Sequence, residues 1–256
     1  MSEPHLLYRV EKNIARFTMN REPQRNALSL DTVALFLNYL DEASTDPDVR
    51  VILITGSGEK AFCSGADLAG AADGKIEKGF KRYAGLLKKL AGYPKPVVAR
   101  INGACMAGGM GLMLACDMVI AKNEATFGTP EVNVGLWPMM IGALIYRNVL
   151  RKKAMEMVLL GERLSAAQAV ELGLITRSVP SENLDNEVEQ VLQSLAAKSP
   201  IGMKIGKEAF YAMADMPFEE AVDFLSGKIA EVAATEDAAE GITAFIEKRK
   251  PVFKGK

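Results

Sequence analysis

Apolar positions along the chain keep two rhythms. Leu7-Tyr8-Arg9-Val10 and Ile14-Ala15-Arg16-Phe17 flank Glu11-Lys12-Asn13, which predicts a β-hairpin within Leu6 to Met19. After a polar loop, Arg21 to Asn26, the residues Leu30, Val33, Leu37 and Leu40 recur at helical spacing, with Ser29 as cap and Pro47 beyond the end. Val49 to Thr55 is nearly all apolar, as in a strand covered on both faces of a parallel sheet. Gly56 to Asp67 reads as loop, Ile76 to Leu90 as a helix with lysines on one face, and Pro96 to Ile101 as a strand. Asp117 to Ala121 and Ala125 to Gly128 are further strands, Thr129 to Gly135 a loop, and Leu136 to Leu150 an apolar patch with helical pieces. Beyond Lys152 the spacing predicts helices over Lys153–Leu160, Ala166–Leu172, Glu182–Ala197, Ile201–Met213, Phe218–Ala233 and Ala238–Lys250, with one short strand, Leu174 to Val179. Strands crowd the first half and helices the second. This predicts a core over 1–195 and a helical region over 196–256 that serves as oligomerisation surface or lid.

The pattern changes most sharply at Asn102 to Asp117, NGACMAGGMGLMLACD. A strand enters it, glycines fill it, and a helical pattern leaves it. Such a turn aims unpaired backbone N–H groups, backed by a helix dipole, at whatever sits above. The earlier stretch, strand–Thr-Gly–loop–Ser-Gly-Ala, is weakly alike, so two neighbouring turns each offer an amide at one end of the sheet.

Composition then removes alternatives. The chain of 256 residues has one histidine, His5, which argues against a Ser-His-Asp triad, a Cys-His pair and a multi-histidine metal site. Cys63, Cys105 and Cys116 have no CxxC spacing and suggest neither a disulfide framework nor zinc. The net charge of −1 supplies no field for nucleic acid. The charge-free run between Arg100 and Asp117 is too short to span a bilayer, and the first residues lack a signal core. The expected location is the cytoplasm, or a reducing organelle matrix. Chemistry must come from carboxylates, backbone amides, lysine or a bound cofactor.

Gly56-Ser57-Gly58 imitates a dinucleotide fingerprint but leads into loop instead of helix. Asp67 and Asp117 sit at element boundaries and read as caps or turn residues. Glu131 follows Pro130 near Trp137, Met139 and Met140, where a carboxylate is either solvent-facing or poised for proton transfer. Met106, Met110, Met113, Met139 and Met140 suit a core or a pocket for an apolar acyl group. The tail from Phe245 to Lys254 is a solvated helix end or a phosphate site.

Arg25-Asn26-Ala27-Leu28, Ala61 to Asp67, Lys95 to Ala99 with Asn102 to Asp117, Phe127 to Glu131, Ala154 to Gly161 and Glu240 to Phe245, taken in this order, resemble the crotonase (enoyl-CoA hydratase/isomerase) superfamily over nearly the whole chain. The resemblance implies an α/β fold, a spiral of ββα turns with a helical C-terminal region, assembled as a trimer or a dimer of trimers. It implies a coenzyme A thioester as substrate and no separate cofactor or metal. It makes the amides of Ala66 and Gly108 an oxyanion hole and Glu131 the acid/base. It places Arg25, Ala27, Ser64, Asp67, Leu68, Met106, Leu136, Trp137 and Met139 around the substrate, with Phe245 beside the adenine and Lys248, from a neighbouring subunit, on the phosphates. Family hydratases carry a further glutamate where this chain has Gly111, and Met139 replaces a family glycine after Pro138. That departure favours enoyl-CoA isomerase chemistry over hydration. The alternatives are a hydratase, a catalytically reduced acyl-CoA-binding protein, and RNA binding, which occurs in one branch of the family and which the charge disfavours.

Overall fold

The computed structural model describes residues 3–67 and 76–256. The hairpin forms as β1 (Leu6–Glu11) and β2 (Ile14–Met19), antiparallel, with Leu6 opposite Met19. Helix α1 (Leu30–Thr45) starts at Ser29, whose Oγ accepts from the Thr32 amide at 3.1 Å. The apolar run becomes β3 (Val51–Gly56), parallel to β2. The chain then steps sideways. Ala61–Cys63, expected as loop, is a three-residue strand β4 that leaves the first sheet and begins a second.

This step recurs. After α2 (Ile76–Ala91), β5 (Val97–Ile101) returns to the first sheet and β6 (Ala104–Met106) enters the second. After α3 (Gly108–Leu114), β7 (Met118–Lys122) and β8 (Thr126–Gly128) do the same. Thus β3, β5 and β7 stack in parallel, and β4, β6 and β8 stack in parallel beside them. The repeat seen twice in the sequence has a third rung. Of the short strands, β8 is the one expected from the sequence, over Ala125 to Gly128; β4 and β6 escape it because three residues carry no periodicity, and their pairing is with distant segments.

The remaining elements close the spiral: α4 (Met139–Asn148), α5 (Arg151–Leu160), β9 (Leu164–Ser165) antiparallel to β8, α6 (Ala166–Glu171), β10 (Arg177–Val179) parallel to β7, and α7 (Leu184–Ala196). The expected strand from Leu174 is shorter because the Leu174 and Ile175 amides turn back to the Ala169 carbonyl at the end of α6. Among the described residues the sheets have the orders β1-β2-β3-β5-β7-β10 and β4-β6-β8-β9.

The first sheet is covered on both faces, which explains the near-continuous apolar β3. One face joins Ile52 and Ile54 to Phe17, Phe36 and Leu40, with the rings of Phe17 and Phe36 stacked at 5.8 Å. The other packs Val51, Leu53, Val98 and Ile120 on Leu184, Val188 and Leu192 of α7.

Helices α8 (Pro200–Met213), α9 (Phe218–Ala233) and α10 (Glu236–Ile246) complete the chain and pack on one another. The last helix ends before the expected Lys250. Lys248 takes φ 56°, the Arg249 amide bonds back to Ala244, and the Arg249 guanidinium grips Glu240 at 2.6 and 2.9 Å. The tail then folds onto buried Asp237, whose Oδ1 accepts from the Lys254 amide at 2.7 Å. Among the described residues no helix is long and apolar enough to cross a membrane.

Candidate active site

Ala66, Gly108 and Glu131 each lie just beyond a strand of the second sheet, after β4, β6 and β8 respectively. Three successive rungs therefore deliver one group each to the same end of that sheet.

The first loop is fixed from below. Segment 25–28 runs alongside segment 64–67: Ser64 N bonds to Arg25 O, Leu28 N to Gly65 O at 2.8 Å, and Asp67 N to Leu28 O at 3.0 Å. Arg21, not singled out in the sequence, ties both segments by donating to the Ala27 carbonyl and to Asp67 Oδ2, at 2.7 and 2.8 Å. Asp67 is thus held in an ion pair, and Asp117 likewise accepts from the Val97 amide and pairs with Lys207. Arg25 is exposed, Ala27 is buried, and Ser64 is half-buried. Leu68 lies outside the described residues. Below the loops, buried Asn26 and Asn102 both donate to the Ala61 carbonyl, at 2.8 and 3.1 Å, holding the step into β4.

The first and second loops meet closer than side chains would permit. Gly65 has φ +108°, and a Cβ there would lie 2.8 Å from Cβ of Ala107. A Cβ on Gly109 would lie 2.5 Å from the Cys63 carbonyl oxygen. The Ala66 nitrogen is 3.5 Å from the point where a Cβ of Gly108 would project. Among the described residues neither the Ala66 nor the Gly108 N–H donates to another backbone group or side chain. Ala107, before α3, is a non-glycine residue at φ 49° and ψ −124°, a conformation that costs about 1–3 kcal/mol and persists only where neighbours enforce it. Because α3 has only seven residues, the donors themselves matter more here than a long helix dipole.

Glu131 sits on the 3-10 turn Pro130–Val134. The side chain is half-buried, and its Oε2 is buried without a hydrogen-bond partner. Desolvation pushes its carboxyl above the ordinary carboxylate range, opposed only by its own backbone amide. Oγ1 of the buried Thr129, two residues earlier, is also unpartnered. Leu136, Trp137 and Met139 follow and are exposed, with the Leu136 amide bonded to the Glu131 carbonyl at 3.0 Å. Met106 is buried at the end of β6. Phe245 lies in the last turn of α10 and is 85 % exposed, and Lys248 follows just beyond the helix end.

Next to Gly111 stands a residue the sequence reading did not single out. A Cβ on Gly111 would lie 2.2 Å from Tyr83 Oη and 2.5 Å from Cγ2 of Ile141. The Tyr83 hydroxyl donates to the Gly108 carbonyl at 2.5 Å. Burial holds this phenol well above its ordinary pKa, and Cys63, Cys105 and Glu131 add to the effect. A signal existed: Tyr83 shares the helical face of Leu86, Leu87 and Leu90, all buried.

The same design occurs in known proteins. Residues 9–256 match the family model described as Enoyl-CoA hydratase/isomerase. Carnitinyl-CoA dehydratase of Escherichia coli K12 is 35% identical over 256 residues, covering 95% of this chain and 96% of its own. Enoyl-CoA hydratase domain-containing protein 3 of Xenopus laevis, a mitochondrial protein, is 35% identical over 98% of this chain and 86% of its own. The crystal structure of an enoyl-CoA hydratase from Bacillus anthracis superposes with a TM-score of 0.94 at 31% identity, over 98% of this chain and all of that one. With the spiral, the paired loops and the matched length in agreement, this chain belongs to the enoyl-CoA hydratase/isomerase family of enzymes acting on coenzyme A thioesters.

Proposed function

We propose that the protein is an enoyl-CoA isomerase that works with a single carboxylate. The observation that carries this reading is Glu131 Oε2, a buried carboxylate oxygen with no partner, in a site whose other family carboxylate position is Gly111. The thioester carbonyl of a 3-enoyl-CoA sits between the amides of Ala66 and Gly108. Negative charge develops on that oxygen as Glu131 takes a proton from the α-carbon. The two donors then stabilise the dienolate, each contributing about 10²–10³ in rate. The protonated Glu131 returns the proton to the γ-carbon, which leaves the 2-enoyl thioester and restores the carboxylate. Water addition would need a second group to hold and activate the water, and residue 111 has no side chain to do it.

The substrate's pyrophosphate is met by Arg25 and, from a neighbouring subunit, by Lys248, with Phe245 beside the adenine. The acyl chain runs toward Met106, Leu136, Trp137 and Met139. Assembly into a trimer or a dimer of trimers is supported by the exposed Phe218, Ile229, Ile242 and Phe245, an apolar surface on the C-terminal helices.

The test compares rates on a 3-enoyl-CoA and a 2-enoyl-CoA with wild type and Glu131→Gln. Isomerisation is expected to exceed hydration, and the variant to lose about 10²–10⁴ of the rate. Hydration as fast as isomerisation would replace the isomerase reading by the hydratase one. Full activity of Glu131→Gln would remove the mechanism.

A further inference from the structure

We propose that Tyr83 is a positioning residue of this site: its hydroxyl fixes Gly108 at the oxyanion hole and fills the space beside residue 111, so that Glu131 works opposite a phenol instead of a second carboxylate. The inference rests on the oxyanion-hole reading above.

Three observations meet at one oxygen atom. Tyr83 Oη donates to the Gly108 carbonyl at 2.5 Å. It lies 3.5 Å from the point where a Cβ of Gly108 would project, as does the Ala66 nitrogen on the opposite loop. It lies 2.2 Å from the point where a Cβ of Gly111 would project. The hydroxyl therefore borders both Gly108 and the vacant side-chain position at residue 111.

Its first role follows from strain. Ala107 is held at φ 49° immediately before Gly108, and its carbonyl, in the same peptide as the Gly108 N–H, accepts from the Met110 amide at 2.9 Å, so the near side of Gly108 is fixed and its far side remains to be held. The Tyr83 hydroxyl bonds that far side, through the Gly108 carbonyl. With both flanking peptides held, one by the Met110 amide and the other by Tyr83, Gly108 N–H is kept aimed into the gap before any substrate arrives, which is the preorganisation an oxyanion hole needs.

Its second role is exclusion. A glutamate at 111 would have to displace both the phenol and Ile141. The single-carboxylate character of the site is thus built into two positions: a small residue at 111 and a large polar ring at 83. The phenol has one proton and gives it to Gly108, so what it retains is lone pairs, which can accept from a protonated Glu131.

The experiment binds a chromophoric cinnamoyl thioester of coenzyme A, whose absorption moves to the red when its carbonyl is polarised, to wild type and Tyr83→Phe at saturation. The phenylalanine variant keeps the ring and loses one hydroxyl. A smaller red shift, with kcat reduced roughly tenfold and KM within about twofold, is the expected result of losing one positioning hydrogen bond. An identical red shift and kcat in both proteins would overturn the positioning role while leaving the oxyanion hole intact. A wild type with no red shift would overturn both readings together. A thermal-unfolding cycle tests the exclusion: Gly111→Glu should be strongly destabilising alone and much less so combined with Tyr83→Ala, whereas simply additive effects would show that residues 83 and 111 do not share space.

Discussion

The two walls of the site are made of different material. On one side, the loops after β4 and β6 present backbone amides, and their geometry is set by sheet register, by two buried asparagines and by glycines packed against carbonyl oxygens. On the other, the segment from Thr129 to Met140 presents one carboxylate on a short 3-10 turn followed by exposed apolar side chains. In the proposed mechanism the first wall stabilises charge and has to be rigid, since a donor displaced by a fraction of an ångström loses most of its effect. In the same proposal the second moves a proton and accommodates an acyl chain, tasks carried by side chains that can change without disturbing the sheet.

The largest blow to the rigid wall is Gly109→Ala. Its Cβ would meet the Cys63 carbonyl at 2.5 Å, and backbone cannot swing away as a side chain would. The loops should part, with kcat falling about 10²–10³-fold for one mislaid donor and stability by about 1–3 kcal/mol from overpacking. Steady-state kinetics and a denaturant titration measure the two effects. An active, stable variant would mean that the loops are not in the contact described.

Asn102→Ala strikes the same wall one layer down. It removes hydrogen bonds to the Gly58 and Ala61 carbonyls and one from the Gly56 amide. A loss of about 1–3 kcal/mol per buried group left unpaired is expected. In urea unfolding the midpoint should fall while the slope is unchanged.

On the other wall the sign reverses. Desolvation raises the Glu131 carboxyl, so the folded protein holds that proton more tightly than the unfolded chain does. The group therefore favours the fold in acid, and that contribution is lost as pH rises through its raised value. Glu131→Gln should melt higher than wild type at neutral pH, with the difference vanishing on acidification into the ordinary carboxylate range. Melting temperatures that run parallel across pH would show that this carboxyl is not desolvated. In the wild type, kcat should rise with pH through the same raised value, because only the carboxylate can take the α-proton.

The smallest effect is expected from Met139→Gln. The side chain is 73 % exposed, so stability should move by no more than about 0.5 kcal/mol. KM should change across a series of acyl chain lengths instead. A uniform response across that series would take Met139 out of the acyl path.

Apolar runs and glycines announced much of the rigid wall: the long strands, the loop entering α3 and the neighbouring turns are all visible in the sequence. The short strands β4 and β6 are not, because three residues have no rhythm and their partners lie far along the chain. Glu131 stands out by its setting between apolar segments. Tyr83 was hidden on a helix noted for its lysines, although its spacing from Leu86 and Leu90 marks the buried face. The end of α10 is not legible in the sequence, since Lys248 and Arg249 are good helix formers and what stops the helix is a grip on Glu240 and a tail bound to Asp237.

The three-rung arrangement also bears on how the molecule comes into being. Ala66, Gly108 and Glu131 belong to segments far apart in sequence, and each reaches its place only when its short strand has docked beside the previous one. Such parallel pairings close long loops and are among the slower events of folding. No partly stacked spiral holds the complete set of groups, so affinity for a thioester should appear only with the last rung. A bound acyl-CoA would then hold the finished stack together, and a ligand signal during refolding would time its completion.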